Sequence, residues 1–172
     1  MARGALAAHL LGEGRATAGS GAPAPAAGVA RGAFVTLMAG GDLRGCVGQV
    51  RANRPLAELV CELAVAAARD DERFAPITRE ELITVRIEIS VLTKPALLRP
   101  VALERIAIGR DGLMVRRGPA SGLLLPQVAP EHGWRAEVFL AATCCKAGLA
   151  PDAWRDPATE VFAFQAEIFG EA

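Results

Sequence analysis

Between residues 85 and 91 the chain alternates without a break: Val85, Ile87, Ile89 and Val91 are apolar, while Arg86, Glu88 and Ser90 are polar. Successive strand residues face opposite ways, so the run predicts a strand with one buried face and one face turned to solvent or to a site. Pro95 and Pro100 close it. Gly32–Met38 reads as an earlier strand, Gly40-Gly41-Asp42 as a hairpin turn and Leu43–Val50 as the returning strand. Ile106–Ile108, the turn Gly109-Arg110-Asp111-Gly112 and Leu113–Val115 read as a second hairpin, and Gly118 to Gly122 turns the chain into Leu123–Leu125. Phe162, Phe164, Ala166 and Ile168 alternate with Gln165 and Glu167, which predicts one final strand over Glu160–Phe169.

Helical period replaces alternation in two places. Asn53 reads as an N-cap with Pro55 in the first turn, and Leu56, Val60, Leu63 and Ala67 share one face of a helix that runs to about Arg69. Asp70-Asp71-Glu72-Arg73-Phe74-Ala75-Pro76 ends that helix, and Thr78 to Leu82 reads as a further capped turn. Trp134 to Ala147 predicts a second helix, stopped by Gly148 and Pro151. Hairpins and isolated helices without a repeated βαβ rhythm predict an α+β fold with a mainly antiparallel sheet. Near the start, Ala5–Leu11 faintly imitates a secretory core, but it is short and His9 interrupts it; it reads as an amphipathic helix packed on the domain. Gly12 to Gly28, rich in Gly, Ala and Pro, reads as a linker. The expected division is therefore 1–31, helix and linker, and 32–170, the domain.

Composition narrows the function classes. With 19 basic and 19 acidic residues, the chain lacks the strong basic field that nonspecific nucleic-acid binding needs. Apolar runs are too short for a membrane span. Cys46, Cys61, Cys144 and Cys145 form no CxxC pair and no zinc-ligand spacing, and read as reduced thiols of a cytoplasmic protein. Phosphate-loop, GxSxG and HExxH signatures are absent.

The run Leu43-Arg44-Gly45-Cys46-Val47-Gly48 carries the chemistry. Alternation along a strand puts Arg44, Cys46 and Gly48 on one face, and a guanidinium beside a thiol favours the reactive thiolate. Glycines within a strand mark a bulge or a close approach by ligand or backbone. Cys46 is thus a candidate nucleophile, against the plainer reading of a small buried residue. Arg44 either grips an anionic ligand or pairs with an acid such as Glu88. Arg73 and Phe74 read first as the lock of the turn after the helix. Gln127, after Pro126, either binds or caps the next turn. His132 reads as a solvated loop histidine, Arg116-Arg117 as a solvated pair, and Cys61, Cys144 and Cys145 as core or near-core residues.

Together these motifs resemble the AMMECR-type domain family. Phe34-Val35-Thr36 precedes the Leu43–Gly48 run, in which Val47 replaces the family's isoleucine. Asp71-Glu72-Arg73-Phe74-Ala75-Pro76 resembles its Asp-x-Arg-Phe-x-Pro turn, and Ser90-Val91-Leu92 a strand end. Gly122 to Val128, Lys146-Ala147-Gly148-Leu149 and Trp154 extend the likeness over about Gly32 to Phe169. Trp134 is followed by Arg135 where relatives often carry an acid.

The resemblance implies an α+β fold with a larger and a smaller lobe and a cleft between them. It also implies membership of the AmmeMemoRadiSam system, in which a Memo-like protein and a radical-SAM protein accompany the domain. The expected role is an accessory or binding protein whose cleft is lined by Leu43–Gly48, with Arg73, Phe74, Ser90, Pro126 and Gln127 as further binding residues. The alternative is an enzyme with Cys46 as nucleophile or redox thiol. No metal site is expected and the cofactor stays open.

Overall fold

The computed structural model describes residues 1–11, 31–52 and 54–171. The chain divides into two compact units, Met1–Leu92 with Glu167–Ala172, and Thr93–Ala166. Each combines helices with a four-stranded sheet, and the fold class is α+β.

In the first unit β1 (Ala33–Ala39) and β2 (Asp42–Gln49) form the expected hairpin across Gly40 and Gly41, both with positive φ. β3 (Arg86–Leu92) pairs antiparallel with β1 on its other side. Counting β8 (Ala166–Gly170), the strand order is β2-β1-β3-β8. One face carries Ala33, Val35, Leu37, Val85, Ile87 and Val91, all buried. α2 (Leu56–Arg69) packs against this face through Leu59, Val60, Leu63, Ala64 and Ala67. α1 (Ala2–Leu11) lies on α2 and sends Leu6 into the same core. Pro55 occupies the N-cap position of α2; the Asn53 cap and the Gly12–Gly28 linker expected from sequence lie outside the described residues.

In the second unit β4 (Ala96–Leu97), β5 (Gly112–Arg117), β6 (Ala120–Leu124) and β7 (Glu160–Phe164) assemble in the order β4-β7-β5-β6. After α3 (Val128–Glu131), the longer α4 (Ala136–Lys146) supplies buried Phe139, Leu140 and Cys144 to a core with Leu113, Val115 and Val161. The end of α4 is a Schellman motif: Gly148, at φ 73°, donates to Cys145 at 2.9 Å, and Leu149 donates to Cys144 at 2.9 Å.

Four expectations need correcting. Ile106–Ile108 is not a strand, because the Asp111 carboxylate accepts the Ala107 amide at 2.9 Å and folds residues 107–111 into a loop. The hairpin partner of β5 is β6, across Gly118 and Pro119. The single final strand is two strands in different sheets: Thr93 and Gln165 exchange hydrogen bonds at the break, amide to carbonyl at 2.8 Å and amide to hydroxyl at 2.8 Å. The late helix starts at Ala136, not Trp134, and its vicinal cysteines diverge, Cys144 buried and Cys145 exposed. A step of about 100° per helical residue sends neighbours to different surroundings.

Candidate functional site around Cys46

The hairpin sets the site. Leu37 pairs with Gly45 but Met38 pairs with Leu43, so Arg44 is the extra residue of a bulge. The alternation that places Arg44 on the face of Cys46 is interrupted there. The Arg44 guanidinium reaches Glu81, at 2.7 and 3.1 Å, and the carbonyls of Ala75 at 2.8 Å and Pro76 at 3.4 Å. Its acid is therefore Glu81, not Glu88. Glu81 is held in turn by a reciprocal cap, accepting the Thr78 amide at 2.9 Å while its own amide donates to the Thr78 hydroxyl at 3.3 Å. The bond from Arg44, aided by the Thr78 amide, holds the Glu81 carboxyl below the usual carboxylate range.

Cys46 is half-buried, and its thiol sulfur accepts the Thr36 hydroxyl at 3.3 Å. Its backbone amide points away from β1 and donates to Asp71 Oδ2 at 2.8 Å. The Asp71 side chain, only 7% exposed, also takes Arg73 in a bidentate grip at 2.9 and 2.6 Å and the Arg73 amide at 3.2 Å. The Arg73 guanidinium drives the Asp71 carboxyl far below the ordinary range, with the Cys46 and Arg73 amides adding to the effect and burial opposing it. The same pairing pushes Arg73 up, against the opposing effect of burial. Arg73 and the Cys46 amide thus share one carboxylate, that of Asp71. The guanidiniums of Arg73 and Arg44 lie 5.4 and 6.0 Å from the centroid of the Phe74 ring.

The two glycines answer to packing. A Cβ on Gly45 would sit 2.1 Å from the Ala67 carbonyl of α2, and one on Gly48 2.2 Å from the Phe34 ring. Val47 turns to the core side of the sheet and packs against the α2 cluster, whereas Leu43 is exposed. Ser90 lies abreast of Phe34 on β3, 1% exposed, its hydroxyl without a partner among the described residues. Pro126 is buried and Gln127 half-buried in the second unit, where Gln127 Oε1 has no partner among the described residues. His132, exposed, stacks on Trp134 at 4.5 Å.

The first unit thus gathers Leu43, Arg44, Cys46, Arg73 and Phe74, and adds Thr36, Asp71 and Glu81, which sequence reasoning had not placed at the site. The Thr78-x-x-Glu81 capping pattern was the available signal for Glu81. Among the described residues no three metal-ligating side chains cluster closely enough to hold an ion, and no helix is long and apolar enough to cross a membrane.

An α+β chain with a bulged hairpin tied to the turn after its first long helix defines the class. The AMMECR1 family model matches residues 1–169, and the chain belongs to the AMMECR1 family. A protein of Methanothermobacter thermautotrophicus is 51% identical over 148 residues, 82% of this chain and 76% of its own length. A Thermococcus kodakarensis protein is 51% identical over 135 residues, 75% of this chain. The match spans 64% of that relative, less than two thirds of its length. The crystal structure of an uncharacterized protein from Pyrococcus horikoshii superposes with a TM-score of 0.90 at 42% identity, covering 99% of this chain and 87% of that one.

Proposed function

We propose that the chain is an accessory or binding protein of the cytoplasm, acting with a Memo-like protein and a radical-SAM protein through the surface around Leu43–Gly48. The observation that carries this reading is how the polar groups are spent. Arg44, Asp71, Arg73 and Glu81 use their hydrogen bonds to fix β2 against residues 71–81, and the sulfur of Cys46 meets a hydroxyl rather than a base. What this rigid frame offers outward is an exposed Leu43 beside half-buried Cys46 and Phe74 and half-exposed Arg73. Fixed apolar and arginine groups of this kind suit protein recognition. The partners come from the family resemblance.

The test is calorimetric titration of the purified chain with each partner, in wild type and in Leu43→Asp, with the fold of the variant checked by circular dichroism. Binding that Leu43→Asp weakens while the fold is kept is the expected result. Turnover of a substrate by the isolated chain, lost in Cys46→Ala, would overturn the reading in favour of an enzyme.

A further inference from the structure

β2 is an outer strand of its sheet, and its register fixes which main-chain groups face outward. Thr36 pairs with Cys46 and Phe34 with Gly48. Because the Cys46 amide goes to Asp71, both pairs are of the kind that exchange no ladder bonds, so the N–H and C=O groups of Cys46 and Gly48 point away from β1. Among the described residues, the Gly48 amide and the carbonyls of Cys46 and Gly48 meet no partner. These groups recur at strand spacing along one line, a pattern that another extended main chain complements.

Proteins usually blunt such edges. Here the blunting stops at Cys46: the bulge falls at Arg44, and the Asp71 carboxylate sits on the Cys46 amide where the carbonyl of an incoming strand would otherwise bond. Gly48 follows, half-buried and without a side chain, then exposed Gln49. Charge differs between the two ends. At the Cys46 end the Asp71 charge is already paired with Arg73, while exposed Arg51 stands two residues past the last residue of the strand, in no ion pair among the described residues.

We propose that the outer edge of β2, from Cys46 to Gln49, receives an extended segment of a partner protein as an added strand, with an acidic residue of that segment against Arg51. The inference rests on the binding reading above and specifies its mode.

Amide hydrogen exchange of the full chain, followed by NMR, tests it, alone and with the Memo-like and radical-SAM proteins in turn. The Gly48 amide is expected to exchange freely in the isolated chain and to slow about tenfold or more in the complex, with the Val47 amide, already bonded to β1, little changed. Arg51→Glu is expected to weaken the complex about tenfold. A complex that forms with Gly48 still exchanging freely overturns strand addition and leaves the binding reading standing. No complex with either partner overturns both.

Discussion

The backbone amide of Cys46 is held by the carboxylate of Asp71, 25 residues along the chain, at 2.8 Å. This bond ties the outer strand to the turn that ends α2, and the same carboxylate anchors Arg73. A buried carboxylate with several donors is costly to remove, because each donor loses a charged acceptor.

Asp71→Ala is therefore expected to lower unfolding free energy by about 2–3 kcal/mol. Asp71→Asn, which keeps an acceptor for Cys46 but loses the charge on Arg73, should fall between it and wild type. Urea denaturation measures both, and a loss no larger than for an exposed substitution such as Glu72→Ala would count against the anchoring role.

Acid should destabilise the protein through the same groups. The carboxyls of Asp71, Glu81 and Glu171 all lie below their ordinary values, through Arg73, Arg44 and Arg3 respectively. A depressed folded-state pKa contributes stability that is present above the unfolded value and lost as pH falls through the folded one. Stability should thus start to fall as pH drops through about 4, the unfolded carboxylate range, and keep falling below it. Asp71→Asn should flatten that slope, and denaturation midpoints at a series of pH values check it.

The hairpin, α2 and β3 were legible in sequence because each rests on a local period: Gly40 and Gly41 set the turn, and valine and isoleucine alternation sets β3. The break between β7 and β8 was not, because alternation continues through Gln165 while the chain changes sheets there. The Leu43–Gly48 run was placed correctly on a strand. The partner of Arg44 was not readable, since the bulge redirects its side chain to Glu81, 37 residues away. Glycines that suggested an approaching ligand proved to admit a helix carbonyl and an aromatic ring of the protein itself.

Those two glycines should differ in tolerance. At Gly45 an added methyl meets the fixed backbone carbonyl of Ala67, whereas at Gly48 it meets the side chain of Phe34, which can rotate. Overpacking costs about 1–3 kcal/mol and more where backbone must move. Gly45→Ala is expected to cost about 3 kcal/mol or more and Gly48→Ala about 1–2. Thermal melts of the pair decide it, and equal losses would mean that Phe34 is as fixed as the helix.

Thiol reactivity separates the two arginines. Cys145 is exposed and Cys46 half-buried, while burial pushes the thiols of Cys144 and Cys61 up and slows their ionisation. Alkylation followed by mass spectrometry should therefore label Cys145 and Cys46 before Cys61, with Cys144 last. Arg73 is tied to Cys46 through the Asp71 carboxylate, while Arg44 is committed to Glu81 and two carbonyls. Arg73→Ala, which takes the bidentate partner from the carboxylate holding the Cys46 amide, should accordingly loosen the strand there and raise the Cys46 labelling rate. Arg44→Ala should change that rate less, provided circular dichroism finds the variant folded. Slower Cys46 labelling in Arg44→Ala would restore Arg44 as the activating group and reopen the enzyme reading for Cys46.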